Sequence, residues 1–301
     1  MVVGAFYFIY NKTIHNDQIS LHDFISQLEK TVFGNVKTIF ILLLFTFFNW
    51  FFEILKWKNL SSFIKNTSFY DAFQQSLGSL TASLFTPNRI GEYGAKAIYY
   101  KKGNRKKIML LNLLGNSTQM AVTVLFGGIG LLYFLIHFEV NFEMYRLRKA
   151  AYILVIIFVT ILTGSLGGFK KIRGFYIDKI LDFIKSMPLK IHLKNGFFSI
   201  VRYLIFSHQF YFLLLVFNIK VDYYTAMSLI TSMYLLASLV PSLALLDWLI
   251  KGSVAIWVFS FINVNELIIF TISLLMWILN FGLAAIIGSY FVLNFNFSKQ
   301  E

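Results

Sequence analysis

Residues 37–55 read KTIFILLLFTFFNWFFEIL. A helix rises 1.5 Å per residue, so about 20 apolar residues cover the ~30 Å hydrocarbon core of a bilayer. This stretch is therefore read as a membrane span, closed by Lys56, Lys58 and Lys65. Similar runs follow at Ile108–Ile136, Ala150–Phe169, Phe197–Phe217 and Leu267–Leu293. Met1–Tyr10 is apolar but too short to cross, and lacks the charged start and cleavage site of a signal peptide. It reads as the end of a first helix whose upstream part lies outside this chain. Composition agrees: the chain is 57% hydrophobic and 14% charged, where soluble domains carry nearer about a quarter charged residues. Its 35 Phe suit lipid-facing helix surface, and its 16 Tyr and 5 Trp suit the headgroup zone. The expectation is an all-α polytopic membrane protein, one transmembrane domain over residues 1–301, and not a soluble enzyme.

Net charge is +13, from 27 Lys and Arg against 14 Asp and Glu. The cations gather at Lys56–Lys65, Lys101–Lys107 and Lys170–Lys194. Under the positive-inside rule these three loops are cytoplasmic. That places residues 11–36 outside and both termini in the cytoplasm, most simply of a bacterial cell membrane. Arg146, Arg148 and Lys149 are the exception, since they fall on the outer side. The same cations attract anionic headgroups, at about 1 kcal/mol for each interfacial Lys or Arg. No large polar domain offers a groove for nucleic acid. The absence of cysteine excludes disulfides, thiolate metal sites and cysteine catalysis.

Two segments differ from the spans. Phe69–Tyr100 and Thr225–Phe261 are each broken near the middle by proline, at Pro87 and Pro241. The residue before a proline is pushed out of the helical region, so Thr86 marks a real break. Each segment starts and ends on one side of the membrane and reads as a helical hairpin, re-entrant in form. Glu92 and Asp247 follow their prolines by five or six residues, and Lys96 and Lys251 follow the acids by four. The flanking spans run in opposite directions, so the halves, about 37–136 and 197–293, form an inverted pseudo-repeat with about six full spans in all. Paired interrupted segments are the sequence pointer to a transport site near mid-membrane. A carboxylate or ammonium there costs roughly 2.5–3.5 kcal/mol on insertion scales, and so usually persists for a function. The plainer alternative is that each acid and lysine form an ordinary i,i+4 helix pair, contributing a few tenths of a kcal/mol.

The stretch Ser83–Tyr99, SLFTPNRIGEYGAKAIY, resembles the signature of the lysylphosphatidylglycerol synthase transmembrane region, the flippase-like domain family. Thr86, Pro87, Arg89, Gly91 and Glu92 match its Thr-Pro-x-Arg-x-Gly-Glu pattern. The family's second signature, a proline- and glycine-rich stretch ending in Glu, is met only by Pro241 and Asp247, without the glycines. The resemblance implies a lipid-handling membrane domain, without the soluble domain that aminoacylates lipid in the full-length synthases. It leaves the lipid open between phospholipids and polyprenyl-phosphate-linked lipids.

Among the other polar residues, Asn112, Asn116 and Gln119 share one face of the Ile108–Ile136 span. They suit either interhelical hydrogen bonds, worth around 0.6 kcal/mol each, or a polar cavity wall. Gly127, Gly128 and Gly130 are read as close-packing positions rather than a phosphate loop. Arg202 either snorkels to the cytoplasmic face or holds a lipid phosphate through its planar fork. His208, deeper in the same span, is read as a satisfied imidazole or part of the cavity wall. No metal-spaced histidine cluster and no Ser/His/Asp pattern is visible, and no cofactor is implied. The leading expectation is a lipid-headgroup translocator with Arg89, Lys96 and Arg202 toward phosphate, and Glu92 and Asp247 toward a cationic group or protons; Lys251 accompanies Asp247. The rivals are a membrane transferase acting on polyprenyl-phosphate lipids and a non-transporting partner subunit. An oligomer is compatible with either.

Overall fold

The computed structural model describes residues 32, 34–87, 89–138, 177–240 and 243–295. Met1–Tyr10, the Ala150–Phe169 span, Arg146, Arg148, Lys149 and Pro241 lie outside them. The described chain forms α1 (Val36–Ser61), α2 (Phe69–Ala82), α3 (Gly91–Ala97), α4 (Arg105–His137), α5 (Ile177–Lys185) and α6 (Leu189–Val216). It continues with α7 (Tyr223–Ser238), α8 (Asp247–Phe259), α9 (Glu266–Trp277) and α10 (Leu283–Leu293). Among the described residues the β contribution is an isolated antiparallel bridge between Pro87 and Leu243. Among the described residues five helical stretches are long and apolar enough to cross a membrane: Val36–Ser61, Lys102–His137, Leu189–Val216, Ala244–Ile262 and Glu266–Leu293. The architecture is that of a multi-pass helical membrane protein.

Local chemistry sets the helix ends. Asn35 accepts the Lys37 and Thr38 amides at the start of α1. Ser68 and Asp71 close a reciprocal capping box on α2. Helices α4 and α6 begin inside the basic loops, so Arg105–Lys107 and Lys190 sit in their first turns. Cations there oppose the helix dipole by about 0.3–1 kcal/mol, a small cost beside the apolar run behind them. The second arm of the expected Thr225–Phe261 hairpin, Ala244–Ile262, has the length to span by itself, while α7, its first arm, is shorter.

Three helix pairs dominate the packing: α1 with α6, α4 with α7, and α10 with α2. Glycines create two of these seams. A β-carbon at Gly288 would strike the Leu77 carbonyl and the Thr81 hydroxyl, and one at Gly130 would strike Thr231. Gly127 meets Leu235 and the Thr231 carbonyl in the same way, whereas Gly128 faces open space. The close-packing reading thus holds for Gly127 and Gly130 and not for Gly128. Interhelical contact of this kind stabilises by packing and not by burial from water, because lipid is as apolar as leucine. Phe40, Phe47, Ile129, Ile136 and Ile286 remain exposed on the outer faces, as helices bathed in hydrocarbon require.

The last span is not uniform. Between α9 and α10 the chain makes a π-helical turn, Ile278–Gly282. The Asn280 carbonyl in this turn accepts the Trp50 indole N–H at 2.9 Å. Such turns disrupt the regular ladder and concentrate at functional sites.

Candidate functional site

The tip of the first hairpin is built by the residues that follow Ala82. The Thr86 hydroxyl donates to the Ser83 carbonyl at 2.7 Å and accepts the Gly91 amide at 3.0 Å. Gly91 has to be small, since a β-carbon there would lie 2.8 Å from Thr86 Cγ2. Between them Arg89 adopts a left-handed backbone, φ 57°, a conformation costing a non-glycine residue about 1–3 kcal/mol and retained where the surroundings enforce it. Its Nη2 lies 2.7 Å from Glu92 Oε2, while Lys96 Nζ lies 2.7 Å from Glu92 Oε1. Lys96 also donates to Asn112 Oδ1 at 2.8 Å and lies 4.3 Å from the centre of the Trp57 ring. Glu92 and Lys96 are 3% and 1% exposed, so this is no surface i,i+4 pair.

A second cluster of the same composition joins α1 to α6. Glu53 Oε2 pairs with Lys56 Nζ at 2.7 Å and with Arg202 Nη1 at 2.6 Å. Arg202 Nε donates to Asn49 Oδ1, Asn49 Nδ2 to Asn280 Oδ1, and Asn280 Nδ2 to Gln209 Oε1. Gln209 in turn donates to the Leu42 carbonyl and the Thr46 hydroxyl. Amides in a low-dielectric interior must be satisfied this way or cost heavily. Sequence reasoning missed Glu53, Asn49, Gln209 and Asn280, and took Lys56 for a loop cation. Lys56 is in fact 2% exposed, because an acid three residues before it offers a partner inside the bundle. The signal was present: Glu53 and Asn49 interrupt an otherwise apolar span.

Both clusters face one cavity of about 380 Å³. Arg89 and Arg202 line it, with Asn49, Trp50, Gln119, Asp247 and Lys251. Lys251 Nζ lies 2.5 Å from Asp247 Oδ2, with the two side chains 36% and 29% exposed. Arg89 and Lys251 each stand 5.9 Å from a phenylalanine ring, Phe281 and Phe206, which also line the cavity. The structure therefore brings together Arg89, Arg202, Asp247 and Lys251, with Glu92 and Lys96 directly behind Arg89. The expected polar wall is reduced to Gln119. Asn112 is turned to Lys96, Asn116 bonds the Tyr93 hydroxyl, and His208 bonds Tyr223 and the Leu204 carbonyl; none of the three lines the cavity. Thr86, Pro87 and Gly91 shape the hairpin tip, and Pro87 meets the second broken segment at Leu243.

Chemically, the cavity presents guanidinium, ammonium and amide groups together with one carboxylate, that of Asp247. Among the described residues no group of three His, Asp or Glu gathers in metal-binding geometry. No known protein family, curated protein or solved structure matches the chain.

Proposed function

We propose that this chain is a lipid-headgroup translocator of the bacterial cytoplasmic membrane, with both termini in the cytoplasm. Its two halves, about 37–136 and 197–293, are related by inverted topology, and the broken segments after α2 and α7 form the headgroup site. The observation that carries this reading is the meeting of the two breaks, Pro87 against Leu243, beside a cavity lined by Arg89, Arg202, Asp247 and Lys251. Non-helical backbone at membrane depth is tolerated only when buried in protein or lining a cavity.

Packing supports the repeat. The span after the first hairpin, α4, lies on the first arm of the second, α7; the last helix, α10, lies on the first arm of the first hairpin, α2. Glycines serve both seams, and α1 and α6, which precede the hairpins, pair with each other. The resemblance of Ser83–Tyr99 to the flippase-like domain family points the same way. A cavity of about 380 Å³ falls near the small end of ligand sites; it holds a headgroup while acyl chains stay in the bilayer.

The test is leaflet transfer of a fluorescent phospholipid and of a polyprenyl-phosphate lipid in vesicles reconstituted with the full chain. Arg89→Ala and Glu92→Gln are expected to abolish transfer while the proteins still insert. Unchanged transfer in both variants removes the site assignment, and turnover of a lipid donor by detergent-solubilised protein would favour the transferase reading instead.

A further inference from the structure

We infer that the cavity selects a dianionic phosphate group, a phosphomonoester or a diphosphate, seated between Arg89 and Arg202. The inference rests on the headgroup-site reading and specifies the charge that the site takes.

Charge within the two clusters is the basis. Glu92 is shared by Arg89 and Lys96, and Glu53 by Lys56 and Arg202. One carboxylate against two cations leaves each cluster with one positive charge. In both, the lysine is sealed in the protein, with its side chain 2–3% exposed, and the arginine is the member that reaches the cavity, 35% exposed at Arg89 and 21% at Arg202. Asp247 and Lys251 balance each other. Uncompensated charge in a low-dielectric interior is costly, so the cavity is complementary to a guest carrying two negative charges. A phosphomonoester carries about −1.5 to −2 at neutral pH. A phosphodiester headgroup leaves one cation unmet, and a zwitterionic headgroup leaves both.

Geometry agrees with charge. The planar guanidinium fork matches phosphate oxygens better than an ammonium does. Arg89 uses Nη2 on Glu92, and its buried Nε has no hydrogen-bond acceptor among the described residues. Arg89 enters from the break between α2 and α3 and Arg202 from α6, and Asn49 and Glu53 hold Arg202 in place through two bonds.

The experiment titrates the purified full chain in detergent with short-chain phosphatidic acid, phosphatidylglycerol and phosphatidylcholine, and separately with inorganic phosphate and pyrophosphate. Phosphatidic acid is expected to bind at least about tenfold tighter than phosphatidylglycerol, the scale of one buried charge pair. Arg202→Gln, and Arg89→Gly, which suits the left-handed backbone, should each remove most of that preference. If either variant fails to fold, the ratio of the two lipids on the unaltered protein still decides. Equal binding of all three lipids, lost on altering either arginine, overturns the charge inference and leaves the headgroup site standing. Inorganic phosphate or pyrophosphate binding as tightly as phosphatidic acid supports the dianion and removes the lipid. No binding by any probe removes both.

Discussion

Arg202 reaches from α6 to two successive turns of α1, with Nη1 2.6 Å from Glu53 Oε2 and Nε 2.9 Å from Asn49 Oδ1. The same carboxylate oxygen holds Lys56 at 2.7 Å. Glu53 is therefore the counter-ion for two cations at once, and the partners are not equivalent under mutation.

Glu53→Gln leaves both Lys56 and Arg202 without a carboxylate, and is expected to destabilise the protein by about 3–5 kcal/mol, the cost of a broken buried pair. Arg202→Gln leaves the Glu53–Lys56 pair intact and should lower the thermal midpoint far less while still impairing lipid transfer. Thermal unfolding of both variants in detergent checks the asymmetry. Equal losses would mean that the cluster is not shared as the distances indicate.

The seam between α4 and α7 offers an internal control. A β-carbon at Gly130 collides with Thr231, while at Gly128 it meets nothing within 4 Å. Gly130→Ala should cost about 1–3 kcal/mol through overpacking. Gly128→Ala should be neutral or stabilising by up to about 1 kcal/mol, because alanine favours the helix. Melting temperatures of the two variants in the same detergent decide this.

The membrane class was readable from the length of apolar runs, and the break at Pro87 from the restriction that proline places on Thr86. Glu92 and Lys96 could be singled out by their spacing after Pro87, and Arg89 by the resemblance of Ser83–Tyr99 to the family signature. What pattern could not supply was pairing across distance. Whether Arg202 snorkels or meets a partner depends on Glu53 facing it from α1, and on Asn280 presenting its amide from an irregular turn. The same limit left Asn116 open between an interhelical hydrogen bond and the cavity wall, and His208 between a satisfied imidazole and that wall; the structure gives both hydroxyl partners away from the cavity. Lys56 was misplaced for the opposite reason, since a lysine at the end of a span ordinarily marks the interface.

Asp222, in the loop before α7, gives a pH prediction outside the spanning helices. Its carboxylate accepts the Thr225 backbone N–H at 2.9 Å, and that bond holds its pKa below the ordinary value. A depressed folded value means that the cap's contribution is present above the ordinary carboxylate pKa and is lost as pH falls through the lowered one. Amide exchange at Thr225, corrected for its intrinsic rate, should therefore accelerate in that acid window. Asp222→Asn, a cap of similar quality without a titrating group, should abolish the pH dependence and keep the protection at neutral pH.

The hairpin tip yields the sharpest coupling, because one threonine does two things there. Its hydroxyl accepts the Gly91 amide, and its methyl occupies the space that a side chain at 91 would need. Thr86→Val keeps the volume and removes the acceptor, which leaves the amide unsatisfied at a cost of about 1–3 kcal/mol. Gly91→Ala keeps the acceptor and forces the new methyl against Thr86 Cγ2. Thr86→Ser keeps the hydroxyl and removes that methyl, so alone it should be mild. The double variant Thr86→Ser/Gly91→Ala should then recover much of what Gly91→Ala loses, in both thermal stability and lipid transfer, with a coupling on the order of 0.5–3 kcal/mol, as for residues in contact. Strict additivity would mean that the glycine serves the backbone alone and that the threonine methyl is not what excludes a side chain.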